Sequence, residues 1–332
     1  MRLPSTTAAL ARGAAAEPND HAEGSASEVI HRLEAQVGTV VRGKSEVIRE
    51  AVVCLLARGH MLIEDVPGVG KTTLAQALAR SLGLAFQRIQ FTSDLLPSDI
   101  LGISVFRQSK QEFEFIPGPI FSNVVLADEI NRTSPKTQSA LLEAMSERRV
   151  SVDRVRHHLP EPFVVIATQN PLEYVGTFPL PESQLDRFMM SLRLGYPPAE
   201  DEKGLLLMGG VQDTLADLEA TVSRDEVLKL QRRVERVHVA DKIADYLLEL
   251  AHGTRSSKQF LLGVSTRGVQ SFLRAAQAMA LCEGRDYVVP DDLQRLAGPV
   301  LSHRVVLKGG ATTLESCREA VEGIVRRVAV PL

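Results

Sequence analysis

The segment Asp65-Val66-Pro67-Gly68-Val69-Gly70-Lys71-Thr72 joins an apolar run, His60–Ile63, to a helical pattern that carries Leu74, Leu78 and Leu82. A strand, a glycine-rich loop and a helix, in that order, are the setting that a phosphate-binding loop requires. The two glycines let backbone N–H groups turn inward around an anion, and the helix directs the positive end of its dipole at the same point. The segment therefore predicts a loop that binds the phosphates of a nucleotide.

Lys71 separates this prediction from an ordinary turn. A glycine-rich turn before a plain helix would leave a lysine in the first helical turn unexplained, because its charge opposes the helix dipole there. The motif G-x-x-x-x-G-K-[ST] is met except at its first glycine, where Asp65 stands. The hydroxyl of Thr72 is a candidate ligand for Mg²⁺. The candidate nucleotide-binding residues of the loop are Pro67, Gly68, Val69, Gly70, Lys71, Thr72 and Thr73.

Two carboxylates, Asp128 and Glu129, follow the apolar run Val124–Ala127. Open α/β sheets bind their ligands at the carboxyl ends of the strands. Alone, the pair could be a solvated acidic strand end, but after a phosphate-binding loop it predicts a site for magnesium and water. Asp128 is the candidate metal ligand, through water, and Glu129 is the candidate that polarises the attacking water. Glutamate rather than an amide at the second position favours hydrolysis over binding alone.

A polar residue also follows the apolar run Phe163–Thr168. Asn170 lies between Gln169 and Pro171, and the proline forces the chain out of the strand. An asparagine at a strand end is commonly only a turn former. Its position beside the other two elements makes it a candidate contact for a phosphate or for the attacking water.

The apolar runs predict an α/β fold with a parallel sheet. Several runs are continuous rather than alternating, which is typical of strands buried on both faces of such a sheet, and helical patterns between them make βαβ units. The predicted strands are His60–Ile63, Ala85–Phe91, Val124–Ala127, Phe163–Thr168 and Phe188–Leu194. The helices predicted after them are Asp225–Val237, Asp241–His252, Thr266–Glu283, Asp291–Leu301 and Thr312–Val328.

Three segments are predicted along the chain. Residues 1–27 form a disordered tail, residues 28–195 the α/β nucleotide-binding core, and residues 196–332 a smaller all-helical lid domain, with Pro197-Pro198 marking the boundary. The tail lacks the apolar centre of a secretory signal; its composition leaves a transit-type peptide open but favours disorder.

The composition of the 332 residues excludes several classes of protein. The apolar fraction of 44% and the absence of any run of about 18 apolar residues argue against a membrane span. A net charge of −3 supplies no overall basic field for nucleic acid, although a local basic patch remains open. Cys54, Cys282 and Cys317 are odd in number and far apart, which argues against a disulfide framework or a zinc site. We expect a reducing, cytoplasmic location.

Further strings of sequence resemble those of the AAA+ superfamily and, more closely, of its MoxR branch. The resemblance covers the chain from about Glu28 to the C-terminus, and these strings are specific to the branch. They are residues 91–100 (FTSDLLPSDI), 115–121 (FIPGPIF), 127–132 (ADEINR) and 140–145 (ALLEAM). The resemblance implies a P-loop NTPase core with a helical lid that binds ATP and Mg²⁺. It also implies a ring oligomer, commonly a hexamer, with chaperone-like activity on protein clients, often with partners that carry a von Willebrand factor A domain.

The same resemblance implies roles for residues outside the phosphate-binding loop. Asn170 corresponds to sensor 1, Arg187 to the arginine finger and Arg267 to sensor 2, while Val40 and Val41 flank the adenine. A finger acts in trans on the nucleotide of a neighbouring subunit.

Physical chemistry supports the two arginine assignments only partly. Arg267 falls in the first turn of a helix that Ser265 would cap, and a cation there opposes the helix dipole, so we expect it to meet an anion. The γ-phosphate is one candidate and a carboxylate of the lid is another. For Arg187 the alternative is a surface ion pair with Asp186.

Two insertions interrupt the core pattern. Residues 101–119 predict a hairpin around a polar turn at 108–111, and residues 149–158 predict another around Asp153-Arg154. The resemblance places both hairpins toward the axis of a ring, as the helix 2 insert and the pre-sensor 1 hairpin. Plain surface hairpins are the alternative.

The sequence thus predicts an ATP hydrolase that does conformational work on another protein. A nucleic-acid motor or loader on the same core is the alternative, disfavoured by the acidic net charge and by the lack of a DNA-reading motif or of interleaved aromatic and basic residues. The sequence separates a chelatase-type ATPase subunit from this prediction only weakly, because the partner of such a subunit would supply the chelatase chemistry.

Overall fold

The computed structural model describes residues 25–170, 176–207, 211–309 and 313–331. Helices surround the sheet and form most of the C-terminal part. They are α1 (Ala26–Gly38), α2 (Ser45–Leu56), α3 (Lys71–Ser81), α4 (Pro97–Leu101), α5 (Pro135–Glu147), α6 (Glu182–Leu185), α7 (Ala199–Leu207), α8 (Val211–Ala216), α9 (Arg224–Val234), α10 (Asp241–Ser256), α11 (Thr266–Cys282), α12 (Pro290–Leu301) and α13 (Leu314–Val325). None of these helices, within the described ranges, is long and apolar enough to cross a bilayer.

In the described ranges, the strands form one central sheet and three small antiparallel pairs. They are β1 (Met61–Glu64), β2 (Phe86–Gln90), β3 (Gly102–Arg107), β4 (Glu112–Pro117), β5 (Val124–Asp128), β6 (Arg149–Val152), β7 (Val155–His158), β8 (Val164–Gln169), β9 (Met190–Leu192), β10 (Phe260–Leu262) and β11 (Val306–Leu307). The central sheet has the order β2-β5-β8-β1-β9, and its neighbouring strands pair in parallel. The predicted parallel α/β core is confirmed.

Each face of the central sheet is covered by helices. Leu126 of β5 packs in one cluster with Leu74 of α3, and its neighbour Val125 packs in a second cluster with Leu141 of α5. Burying each such side chain contributes about 1.5–3 kcal/mol, so alternate residues of β5 hold helices on both sides. Burial on both faces explains why the runs in the sequence are continuous.

The parallel strands bring four C-terminal ends, each with a polar residue, to one edge of the sheet. Glu64 at the end of β1 is paired in register with Gln169 of β8, and Gln90 of β2 is paired with Asp128 of β5. The loop after β1, the carboxylates after β5 and the residues after β8 therefore lie along the same edge.

The part of the chain after β9 is helical, with one addition to the all-helical prediction. Strands β10 and β11 form a short antiparallel pair in which Phe260 lies opposite Leu307. Strands of three and two residues are too short to show an alternating pattern, so they left no signal in the sequence.

Most element boundaries differ from the predictions by only a few residues. Strand β9 is shorter than the predicted 188–194, and α7 and α8 were not predicted. Helix α1 begins at Ala26, and Ser25 caps it by accepting a hydrogen bond from the N–H of Glu28, so the first helix starts two residues before the predicted core. Residues 1–24 of the predicted tail lie outside the described residues.

Both predicted hairpins are confirmed. Strand β3 pairs with β4 and β6 with β7, and the second turn has Asp153 and Arg154 at φ +50° and +67°. The hairpins touch each other, because the ring of Phe115 stacks on His157 with centroids 3.9 Å apart and planes 19° apart. Phe113 is 73% exposed on the first hairpin.

Candidate nucleotide-binding site

The loop between β1 and α3 has the backbone shape that its glycines allow. Gly68 and Gly70 have φ angles of +83° and +96°, and a side chain in that left-handed region would be strained. Gly70 is the N-terminal cap residue of α3, so the first turn of that helix opens onto the loop. Space around Gly68 is open, with no heavy atom of the described residues within 4 Å of a Cβ built there. The loop can accept an anion at the N-terminus of α3.

Asp65, the departure from the motif, is a buried residue with defined partners. Its Oδ1 accepts a hydrogen bond from the backbone N–H of Val66 at 2.9 Å, and its Oδ2 accepts one from Gly195 at 2.6 Å. Gly195 follows β9 and has a φ of +60°. The carboxylate therefore links the start of the loop to the chain that leaves the sheet, which a glycine could not do.

The charge of Lys71 interacts with three carboxylates. Its Nζ donates to the carbonyl oxygen of Asp65 at 2.6 Å. Burial lowers the pKa of Lys71, opposed in decreasing order by Asp65, Asp128 and Glu129. The structure thus brings Lys71 and the carboxylates after β5 together, as the sequence predicted. Thr72 and Thr73 are half-buried in the same first turn of α3.

Asp128 has both carboxylate oxygens engaged. Oδ1 accepts from the hydroxyl of Thr168 at 2.6 Å. Oδ2 accepts from Arg88, at 2.5 Å from Nη2 and 3.1 Å from Nε. Asp128 is 9% exposed, whereas the Arg88 side chain is 50% exposed. A metal ion or metal-bound water that used Oδ2 would compete with this arginine.

Glu129 has a strained backbone and a fixed carboxylate. Its φ is +57°, a left-handed conformation that costs a non-glycine residue about 1–3 kcal/mol. Its N–H donates to the Thr168 hydroxyl at 2.8 Å. Its Oε2 accepts from Gln90 at 2.8 Å and from Arg132 at 2.9 Å. These contacts hold the carboxylate in one position at the edge of the sheet.

Four residues that contact the carboxylates, Arg88, Gln90, Arg132 and Thr168, were not predicted as contacts. Arg88 and Gln90 are two positions apart on β2, so both side chains point to the same face of the strand. Gln90 is in register with Asp128. The signal available in the sequence was a run of polar residues inside a predicted strand. It could not be interpreted without knowing that β2 lies beside β5.

The other predicted site residues are placed as follows. Asn170 is buried directly after β8, and Pro171 lies outside the described residues. Val40 and Val41 are buried in the loop between α1 and α2, and Val41 lines a cavity of about 600 Å³ there.

The two arginines predicted from the resemblance lie on different elements. Arg187 follows α6, and its Nη1 donates to the carbonyl of Leu142 at 2.7 Å and to Ser146 at 3.1 Å, both on α5. Among the described residues, Arg187 forms no ion pair with Asp186, so the alternative of a surface ion pair between them is not seen. Arg267 is exposed in the first turn of α11, where the predicted cap is confirmed by a hydrogen bond from Gly268 N–H to Ser265 at 2.9 Å. Within the described ranges it pairs with no lid carboxylate.

A phosphate-binding loop, carboxylates at the end of a neighbouring strand and a helical lid define an α/β P-loop NTPase fold. Comparison with known proteins agrees. Residues 60–190 match the family described as the ATPase family associated with various cellular activities (AAA), and residues 252–324 match the AAA lid domain.

Similar proteins cover nearly the whole chain. The uncharacterized protein YeaC of Bacillus subtilis is 49% identical over 89% of this chain and 93% of its own. The chaperone MoxR1 of Mycobacterium tuberculosis is 40% identical over 95% of this chain and 86% of its own. The crystal structure of a candidate ATPase from Cytophaga hutchinsonii superposes with a TM-score of 0.84 at 38% identity, covering 92% of this chain and 96% of that one. This chain belongs to the MoxR-type AAA+ ATPases.

Proposed function

We propose that this chain binds MgATP at the loop of residues 65–72 and hydrolyses it within a ring oligomer, using the cycle to remodel or activate a partner protein. The observation that carries the proposal is the meeting of Lys71, Asp128 and Glu129 at one edge of the sheet. A cation, a metal-binding carboxylate and a base are the groups that phosphoryl transfer to water needs.

The residues present suit a nucleotide and a magnesium ion. The open loop and the N-terminus of α3 accept phosphate oxygens, and Lys71 is close enough to exchange its contact with the Asp65 carbonyl for one with a phosphate. Thr72 and Asp128 supply hard oxygen ligands, which Mg²⁺ prefers. When bound, the ion neutralises charge on the phosphate oxygens.

Glu129 would take a proton from the attacking water as the water oxygen bonds to the γ-phosphorus and the bond to the β-phosphate oxygen breaks. Asn170 would hold that water or the γ-phosphate. Arg267 would contact the γ-phosphate of its own subunit, and Arg187 that of the neighbour, because its own site already holds Lys71 and Arg267.

The partner is proposed from the family rather than from a contact. The related Mycobacterium tuberculosis protein is named a chaperone, which supports chaperone-like action on a protein client. We propose a hexameric ring, a client or partner with a von Willebrand factor A domain, and a cytoplasmic location.

Lys71→Ala is expected to lower the affinity for ATP by about 100-fold or more, since removing one charge of a buried pair costs several kcal/mol. Isothermal calorimetry with ATP and Mg²⁺ measures it. Lys110→Ala, in the exposed turn of the β3–β4 hairpin, is the matched control and should bind as the wild type does. Unchanged ATP affinity in Lys71→Ala would refute the site.

Arg88→Gln is expected to lower the Mg²⁺ concentration that supports nucleotide binding by about two- to fivefold, the range for a half-exposed ion pair. The reason is that Arg88 occupies Oδ2 of Asp128, for which the metal or its bound water would have to compete. A Mg²⁺ titration with a fluorescent ATP analogue measures the effect without turnover. Arg107→Gln, which breaks an exposed pair with Glu114, is the control. An unchanged or higher Mg²⁺ requirement would show that the two do not compete.

A further inference from the structure

Asp186 joins three segments that are distant in sequence. It follows α6, and its two carboxylate oxygens are divided between two partners from the lid. Oδ1 accepts from Arg304 Nε at 3.0 Å, and Oδ2 accepts from the hydroxyl of Ser265 at 2.8 Å. One side chain of the core therefore holds both the segment after α12 and the start of α11.

Arg304 is buried, with 1% of its side chain exposed, and most of its hydrogen bonds go to the segment of residues 186–189. It donates to the carbonyl oxygens of Phe188 at 2.5 Å and Met189 at 3.0 Å, in addition to the Asp186 carboxylate. Burial lowers the pKa of Arg304 to about 10, with Asp186 opposing that shift, so the guanidinium remains charged at neutral pH. A buried charge with this many partners has little freedom to move.

The first turn of α11 contacts both members of this ion pair. Ser265 binds Asp186 while also capping the helix through Gly268 N–H. A Cβ added to Gly268 would lie 2.8 Å from Cδ and 3.1 Å from Nε of Arg304, and 2.8 Å from Cγ1 of Val264. The glycine is required because Arg304 packs directly against the turn that carries Arg267.

We propose that Asp186 and Arg304 are positioning residues, which orient Arg187 and Arg267 relative to each other. Arg187 belongs to the segment that Arg304 holds, and Arg267 belongs to the turn that Ser265 and Gly268 place against Asp186 and Arg304. Any shift of α11 would therefore be passed to the backbone at Arg187. The inference rests on the proposed function, in which Arg267 contacts the nucleotide of its own subunit and Arg187 that of the next.

The Arg187 side chain is less constrained than its backbone. Only Nη1 has hydrogen-bond partners on α5, and Nε is buried without one among the described residues. Reorientation of its guanidinium toward a neighbouring subunit would give up two hydrogen bonds and no ion pair. The contacts of Asp186 and Arg304 fix the backbone position from which the Arg187 side chain would reorient.

The test uses Asp186→Asn in the full chain, because asparagine keeps the shape and removes the charge. We expect ATP affinity to fall about five- to tenfold, as for a weakened charge-assisted hydrogen bond, while ADP affinity changes by less than about twofold. We expect kcat to fall about tenfold or more, because a misplaced group loses much of its effect. Glu182→Gln, an exposed carboxylate in the first turn of α6, is the control and should leave all three values unchanged.

A double variant tests whether Asp186 acts through Arg187. The effects of substitutions at residues that act as a unit are not additive. In an Arg187→Ala background, Asp186→Asn should therefore lower kcat by less than about a further twofold. Ser265→Thr, which keeps the hydroxyl, should retain the ATP-to-ADP affinity ratio that Ser265→Ala loses. Gly268→Ala leaves every charge in place but displaces Arg304, so it should reproduce the Asp186→Asn pattern and serves if that variant does not fold.

Equal losses of ATP and ADP affinity in Asp186→Asn would show a purely structural role and would overturn the inference. A double variant whose kcat falls by the product of the Asp186→Asn and Arg187→Ala effects would overturn it as well. Wild-type behaviour of Asp186→Asn and Gly268→Ala would also overturn it. Failure of the proposed function is distinguishable, because then the wild type would not hydrolyse ATP, or Arg187→Ala and Arg267→Ala would themselves be without effect.

Discussion

Glu129→Gln is expected to slow ATP turnover by a factor on the order of 10² to 10⁴ while MgATP stays bound, because it removes a general base and leaves the phosphate-binding loop intact. Glutamine can still accept a hydrogen bond from Gln90 or Arg132, so the side chain keeps its neighbours. It cannot take a proton from water. The variant therefore separates binding from chemistry.

Single-turnover kinetics and calorimetry on the same preparation make the comparison. Glu143→Gln, an exposed glutamate of α5, is the matched control and should turn over ATP normally. If Glu129→Gln lost as much ATP affinity as Lys71→Ala, its assignment as the base would be wrong. Because blocked hydrolysis should hold the complex with a client, the same variant in ATP is also suited to isolating the partner.

Arg187→Ala is expected to bind ATP but to lose hydrolysis by roughly 10³ or more, the usual scale for an arginine finger. The physical reason is that the guanidinium stabilises charge that develops on the γ-phosphate of the neighbouring subunit. Specific activity of the wild type should also rise with protein concentration, since each complete site needs two chains. Arg326→Ala, at a side chain that is 76% exposed directly after α13, is the control.

Mixing two inactive variants gives the sharper test of action in trans. An Arg187→Ala subunit retains its own Lys71 and carboxylates, and an Asp128→Ala subunit retains its arginine. Some interfaces in a mixed ring would therefore be complete, and part of the activity should return. A mixture that co-assembles yet stays inactive, or a wild type whose activity per chain is constant down to a proven monomer, would exclude the trans assignment.

The sequence predicted those features that depend on neighbours along the chain. The loop at 65–72, the carboxylates at 128–129 and the cap at Ser265 each follow from a short pattern in which residue type, turn and helix start occur together. The parallel sheet followed from continuous apolar runs, since burial on both faces removes alternation. The roles of the predicted site residues, Arg187 and Arg267 included, remain predictions.

The features that could not be predicted depend on which strands lie side by side. Arg88 and Gln90 reach the carboxylates only because β2 pairs with β5, and Thr168 only because β8 lies on the other side. Arg304 contacts Asp186 across 118 positions of sequence. Nothing local in the chain marks such pairs, since a polar residue on an edge strand or near a helix end is ordinary.

The side chain of Asp65 has a consequence for how nucleotide-binding motifs are defined. At this position the motif specifies a glycine, yet the turn that can accept an anion is formed by Gly68, Gly70 and the start of α3. The carboxylate of Asp65 instead accepts hydrogen bonds from the N–H groups of Val66 and Gly195. The first position of the pattern is thus a place where this loop can be anchored to the rest of the domain. A search that demands glycine there would miss this loop, in which a side chain at the first position holds the loop to the rest of the domain.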